Sequence, residues 1–285
     1  MVLKALLLPN FQKDDCLEIM QSVVSTLKKD SFEVYILDDM KDKMTDNNIK
    51  SISADKLCGN IDFAVTIGGD GTIIKAANLL LEDEIPIIGV NLGTLGFLTG
   101  IEKDEISLLH KIAQGKYSIE ERLVLKVDIE NKERKTSFNA INDVIICKNA
   151  FSGIIDIDVN CGGIETAHYR ADGIILSTAS GSTAYAMSAG GPIMHPSVKA
   201  ICLTPICAHS LLSRTIILPE NETVTVKTNA NLDKKTACVV ADGLCSQQIT
   251  KNDKITINRY HKNVKFICLE GKNYYSAINQ KLMER

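Results

Sequence analysis

The sequence predicts a two-part molecule: an N-terminal open parallel α/β domain and a C-terminal antiparallel β-rich domain. Two observations carry this reading. Up to about residue 100, short apolar runs alternate with helix-patterned segments, as in a parallel sheet covered on both faces. From about residue 118 the pattern changes to period two with few helical segments between the runs, as in antiparallel sheets. The chain has 285 residues, 45% hydrophobic and 24% charged, enough for two modest cores.

The first strand is "VLKALLLPN", a run too apolar to have a solvated face. Residues 12–29 then place Leu17, Met20, Val24 and Leu27 at helical spacing, after Asp14 and Asp15, whose charge suits a helix N-terminus. "FEVYILD" (32–38) is the second strand. After a polar Lys/Asp-rich stretch come the strand "DFAVTIGG" (62–69), the helix "TIIKAANLLLED" (72–83) and the strand "IPIIGVN" (85–91).

In the second half, "RLVLKVDIE" alternates Leu125, Val127 and Ile129 against Lys126, Asp128 and Glu130, and "GIIDIDVNCGG" alternates Ile155, Ile157 and Val159 against Asp156, Asp158 and Asn160. "GIILST", "AICLTPICA", "ETVTVKT", "TACVVADG", "DKITINRY" and "VKFICL" are further strand-like runs. The tail "NYYSAINQKLMER" is weakly helical. The expected domains are 1–102 and 103–267, with the tail 268–285 packing back on the first. No internal repeat or low-complexity linker is visible.

The 32 basic and 35 acidic side chains leave a net charge of −3, so no bulk positive field recruits nucleic acid or an anionic membrane surface. No run approaches the ~20 apolar residues of a membrane span. The nine cysteines form no C-x-x-C pair and no zinc-type spacing. They are expected to be reduced, mostly buried thiols in a cytoplasmic protein.

The stretch "TIGGDGTIIKAANLL" (66–80) sets an acid among glycines where a strand gives way to a helix. In an open parallel sheet, ligands sit at the carboxyl ends of the strands. Gly68, Gly69 and Gly71 let a phosphate approach the backbone, and the helix expected to open near Thr72 offers free N–H groups. A carboxylate there repels phosphate unless it has another task, such as holding a metal ion or accepting a proton from an attacking hydroxyl. Asp70 thus points to phosphoryl transfer to an alcohol. An Asx turn with no chemistry attached has the same composition. Neither G-x-x-x-x-G-K-[ST] nor G-x-G-x-x-G occurs in the chain.

"GVNLGTLGFLTG" (89–100) places a second glycine-rich turn after the next strand. "AHYRADGIILSTASGSTAYAMSAGGP" (167–192) gathers Ser180, Ser182, Thr183 and Tyr185, either as a lining for a polar planar ligand or as a helix N-cap cluster.

"GGDGT" (68–72), "NLGTLGFL" (91–98), "IND" (141–143) and "YRADGIILSTASGSTAYAMSAGGPIMHP" (169–196) resemble the successive signature blocks of NAD kinases, in order and spacing, from about residue 61 to 245. The first block alone is shared with phosphofructokinases and diacylglycerol-type lipid kinases, whereas the fourth is specific. The resemblance implies ATP-dependent phosphorylation of the adenosine ribose 2'-hydroxyl of NAD, giving NADP, with a divalent metal ion, magnesium foremost. It implies that Asp70 accepts the proton, that Gly71 contacts substrate beside it, and that Lys75 stands near phosphate. Asn142 and Asp143 match a pair holding the adenosine part, Arg170 and Asp172 the contacts to the other end of NAD, and Thr183, Ala184, Tyr185 and Ser188 the loop on adenine and ribose. The family commonly forms dimers or tetramers, so a homo-oligomer is expected.

Two positions depart from the family pattern. Asp143 stands where Glu is usual, and "ADGL" (241–244) has Leu244 in place of the Gln of a late Asp-Gly-Gln motif. The competing readings are another GGDGT-type kinase, acting on a lipid or sugar phosphate, and a pyridine-nucleotide sensor without turnover. The lipid kinase lacks a membrane-facing patch in this sequence, the sugar-phosphate kinase lacks a set of arginines, and the sensor has no need of Asp70.

Overall fold

The computed structural model describes residues 2–44, 49–93, 96–149, 153–210, 213–229, 237–272 and 274–283. The chain divides into two compact units, Met1–Glu121 together with Val264–Arg285, and Arg122–Asn263.

The first unit holds strands β1 (Lys4–Pro9), β2 (Glu33–Leu37), β3 (Lys50–Ile52), β4 (Phe63–Gly68), β5 (Ile87–Asn91), β6 (Ile101–Glu102) and β7 (Tyr117–Arg122), and also the late strand β20 (Val264–Leu269). Its helices are α1 (Cys16–Lys29), α2 (Asp70–Leu80), α3 (His110–Ala113) and the tail helix α5 (Tyr274–Met283). The sheet runs β3-β2-β1-β4-β5-β20-β7, with β6 paired to β5. The pairings of β1 with β2 and β4, of β2 with β3, and of β5 with β4, β6 and β20 are all parallel, as the alternating sequence predicts.

The continuous apolar runs of β1, β4 and β5 are buried along almost their whole length because helices cover the sheet. Helix α1 turns Cys16, Met20, Val23, Val24 and Leu27 inward, and carries Glu18 in its first turn and Lys28 and Lys29 in its last, in accord with the helix dipole. Helix α2 buries Ile73, Ile74, Ala76, Ala77 and Leu80.

The second unit is built of β8 (Leu125–Glu130), β9 (Lys135–Ala140), β10 (Asp143–Lys148), β11 (Ile155–Cys161), β12 (Ile164–Ala171), β13 (Gly173–Ser177), β14 (Ala200–Ile206), β15 (Ile216–Pro219), β16 (Val224–Thr228), β17 (Ala237–Ala241), β18 (Cys245–Ile249) and β19 (Lys254–Arg259), with α4 (Tyr185–Ser188) between β13 and β14. Two six-stranded sheets run β15-β14-β13-β10-β17-β18 and β12-β11-β16-β19-β8-β9. Every pairing recorded in them is antiparallel.

The period-two pattern is realised directly: Val127, Ile129, Val144, Ile146, Ile157, Val159, Ile174, Leu176, Val239 and Ile255 share one core. The other face of β13 is covered too, since Ile175 packs with Ala186 of α4. The cysteines are all free, but less buried than the sequence suggests: Cys16 and Cys202 are buried, whereas Cys58, Cys207 and Cys245 are exposed. No helix among the described residues is long and apolar enough to cross a membrane.

Candidate active site

In the first unit the strand order reverses between β1 and β4, which places the switch point of the sheet at their carboxyl ends. Asn10, just past β1, donates its N–H to Ile67 O at 2.8 Å and its side-chain amide to Thr72 Oγ1 at 3.4 Å. Gly68 closes β4 and Gly69 caps α2, which starts at Asp70, two residues earlier than its sequence pattern suggests. Asp70 therefore lies in the first helical turn, where unpaired N–H groups and the dipole favour a negative group.

The Asp70 carboxylate does not turn back on its own loop. Oδ2 accepts the Phe97 N–H at 2.9 Å and Oδ1 accepts the Leu98 N–H at 3.1 Å, so the two glycine-rich turns are tied through this side chain. Gly96 permits the approach, because a Cβ there would stand 2.1 Å from Asp70 Oδ1. Thr94 and Leu95 lie outside the described residues.

Gly69 has an extended backbone that any residue adopts, and a Cβ on Gly69 or Gly71 would meet nothing within 4 Å. Neither glycine is required by the fold of the turn. What their missing side chains leave is open backbone beside a helix N-terminus, the surface a phosphate group fits. Lys75 is exposed one turn further along α2.

In the second unit three distant segments converge. Asp242 follows β17 with φ of 50°, a left-handed conformation that Asp tolerates better than most residues. Its carboxylate accepts the N–H groups of Ile141 at 2.7 Å, Asn142 at 2.8 Å and Asp143 at 3.0 Å. From the other side, Thr178 donates its N–H to Asn142 O and its hydroxyl to Ile141 O at 2.6 Å. Gly181 lies so close that a Cβ would stand 2.0 Å from Asn142 O. The result is a hydrogen-bonded Ile141–Asn142–Asp143 corner in which Asn142 Oδ1 is buried with no partner among the described residues.

Asp143 is only 4% exposed. Burial, with the Asp242 carboxylate adding to it, raises its carboxyl to about 7, against the pull of the Tyr185 N–H that it accepts. Asp242 is also raised by burial, which outweighs its three N–H bonds.

The "SGSTAYAMS" segment separates into two sides. Ser180, Gly181 and Ser182 are buried, and Ser182 Oγ donates to Ala179 O at 2.7 Å and accepts the Met194 N–H at 2.9 Å. Thr183 and Ala184 are half-buried, whereas Tyr185, 45% exposed, and Ser188 face solvent. The hydroxyls do not cap α4, so the N-cap reading of this cluster fails. Arg170, near the end of β12, pairs with Asp156 at 3.4 Å, and Asp172 pairs with Lys148 at 2.7 Å.

Residues 6–117 match the ATP-NAD kinase N-terminal domain and residues 141–269 the ATP-NAD kinase C-terminal domain. The NAD kinase of Lachnoclostridium phytofermentans is 35% identical over 99% of both chains, and that of Geobacter sulfurreducens 40% identical over 78% of both. The chain belongs to the NAD kinase family. It is an NAD kinase phosphotransferase.

The fold agrees with that of solved family members. The yeast NADH kinase, solved in complex with NADH, superposes with a TM-score of 0.87 at 23% identity, over 99% of this chain and 88% of that one. An NAD kinase from Archaeoglobus fulgidus, solved in complex with ATP, superposes with a TM-score of 0.74 at 22% identity, over 99% of this chain and all of that one.

Sequence reasoning about this NAD kinase missed Asp242 and Thr178 as the residues that shape the Asn142–Asp143 corner. "ADGL" was noticeable only as an imperfect motif, and nothing in it indicates a partner about a hundred positions earlier in the chain. The anchoring of Asp70 by two backbone N–H groups left its mark only in Gly96, where a Cβ would clash with the carboxylate, since any residue but proline supplies the donors themselves.

Proposed function

We propose that this NAD kinase transfers the γ-phosphoryl group of ATP to the adenosine ribose 2'-hydroxyl of NAD, giving NADP and ADP, with Asp70 as the proton acceptor. The observation that carries the reading is the Asp70 carboxylate, fixed at the N-terminus of α2 by the Phe97 and Leu98 N–H groups beside glycines with open space above them. The 2'-oxygen attacks the γ-phosphorus, the bond from that phosphorus to the β-bridging oxygen breaks, and the hydroxyl proton passes to Asp70. In a loose phosphoryl-transfer transition state the hydroxyl loses its proton late, so the carboxylate contributes position and orientation more than basicity.

Gly68, Gly69, Gly71 and Thr72 carry the phosphate-binding role in this reading, with Lys75 exposed one turn away. In the second unit, Asn142 and Asp143 hold the adenosine part of NAD. The buried, unpartnered Asn142 Oδ1 supports this, because an adenine amino group is a donor of the kind it lacks. Tyr185 offers an exposed ring, with Thr183, Ala184 and Ser188 beside it in the chain. Arg170 and Asp172 contact the other end of NAD. A divalent ion, when bound, neutralises charge on the transferring phosphates. Asp70, the carboxylate at the turn that opens α2, is the residue that would face such an ion there. The relatives known with NADH and with ATP lend these substrates support. The reading also makes the enzyme a cytoplasmic homo-oligomer.

The experiment is to incubate the protein with NAD, magnesium and ATP labelled at the γ-phosphorus, and to locate the label in the product. Label on a ribose 2'-phosphate of NADP is expected. Label at the 3'-position, or only in free phosphate, contradicts the reading.

A further inference from the structure

Two of the nine cysteines, far apart in the sequence, meet in the folded chain. Cys147 on β10 and Cys238 on β17 are direct register partners in an antiparallel pair, with Sγ atoms 3.6 Å apart. Directly opposed residues have Cα atoms about 4.5–5.5 Å apart, inside the range of about 4.4–6.8 Å that a disulfide spans.

Both are half-buried, on the face turned away from the sandwich core, since their chain neighbours Ile146 and Val239 occupy that core. On its other flank Cys147 faces Gly173, where a Cβ would stand 2.9 Å from the Cys147 Cα and Cβ. A side chain is thus excluded on that side, and the Cys147 sulfur has its contact with Cys238. The register neighbour of Cys238 on β18 is Gln248, an exposed residue.

We propose that Cys147 and Cys238 are a redox-active dithiol, a modification site that closes reversibly to a cross-strand disulfide on meeting a hydroperoxide or a small-molecule disulfide. The sulfur contact distinguishes their roles. The contact, in which either sulfur can donate, lowers the Cys238 thiol, whereas the same contact and burial push Cys147 up, so Cys238 is assigned the first attack.

With hydrogen peroxide, the Cys238 sulfur attacks one oxygen, the O–O bond breaks, and hydroxide leaves and is protonated to water. The Cys147 sulfur then displaces the sulfenic oxygen of Cys238, which takes the Cys147 proton and leaves as a second water. The two thiols lose two electrons and two protons, and the peroxide gains both. The bond cross-links the strand that opens with Asp143 to the strand that leads into Asp242, beside the Lys148–Asp172 ion pair.

The test treats the full-length native protein with hydrogen peroxide or oxidised glutathione, blocks remaining thiols by alkylation before unfolding, and maps the peptides by mass. The expected product is the Cys147 peptide joined to the Cys238 peptide, two hydrogens lighter than the reduced pair and released by dithiothreitol. The exposed Cys58, Cys207 and Cys245 report that oxidant was delivered. Cys147→Ser should leave Cys238 as a trappable sulfenic acid or a mixed disulfide with glutathione, and Cys238→Ser should leave Cys147 open to alkylation. Recovery of Cys147 and Cys238 as alkylated thiols while the exposed cysteines react overturns the proposal, as does linkage of either one to a different cysteine.

Discussion

Asp143 shows how strongly one position can depend on its surroundings. An exposed aspartate ionises near 3.8, but burial beside Asp242 brings this one to about 7. The folded state therefore holds the proton more tightly than the unfolded chain between those values. Stability from this group is fully present below about 3.8 and is lost as pH rises through about 7. Asp143→Asn carries no such proton, so the melting temperature of the wild type relative to this variant is expected to fall as pH is raised from about 5 to about 8. Melting curves of both proteins across that range check it, and a difference independent of pH would show that Asp143 is an ordinary carboxylate. At this scale the sequence was informative where chemistry forces residue type. Asp70 drew notice as an acid among glycines at the end of an apolar strand, but residue type alone left an Asx turn equally open, and its bonds to the Phe97 and Leu98 N–H groups show in the fold only. The raised carboxyl of Asp143 was not legible, since it depends on Asp242, brought near by the pairing of β10 with β17.

Strands and turns place these residues. β10 lies between β13 and β17, and the loops at one end of this trio supply Asn142, Thr178 and Asp242. Asp242 closes the corner by accepting three N–H groups, each of which is left without that acceptor on substitution by alanine. Leaving buried donors unsatisfied costs about 1–3 kcal/mol apiece, although relaxation and water recover part of it. Asp242→Ala is therefore expected to lose several kcal/mol of stability and to weaken NAD binding, while Asp70 and its two N–H donors, in the other unit, stay intact. Denaturant titration and NAD calorimetry measure the two effects. Unchanged NAD affinity in a destabilised variant would separate this corner from substrate binding. The period-two and apolar runs revealed β8, β11, β13, β14, β16, β17 and β19 as strands, but β9, β10, β12, β15 and β18 lay outside those runs, and no run showed which strands are neighbours. β10 and β17 are nearly a hundred residues apart, and no local pattern encodes their register.

The whole molecule is organised by an interrupted unit. The second unit is inserted between β7 and β20 of the first, and its entry and exit are clamped where Tyr260 donates its N–H to Val124 O at 2.7 Å and β8 pairs with β19. A fragment spanning Arg122–Asn263 has its own core and neighbouring ends, and is expected to fold alone with a cooperative melt. The chain ended at Asn263 is expected to fare worse, because β20 is internal to the first sheet, between β5 and β7, and its loss exposes two strand edges. Circular dichroism and solubility of both products decide the matter; a well-folded chain lacking β20 would contradict it. In the sequence "VKFICL" looks like the other apolar runs of the second half. Its parallel pairing with β5 is a property of chain topology that periodicity does not carry.

The most direct test of the account is the rate of NADP formation from NAD, ATP and magnesium, wild type beside Asp70→Asn, with NAD binding measured on both. Turnover by the wild type is expected, with a loss of roughly 10²–10⁴-fold in kcat for the variant and NAD affinity kept within a few-fold. A variant that turns over within about threefold of the wild type would contradict the role given to Asp70. A wild type that binds NAD and forms no NADP would contradict the proposed reaction itself.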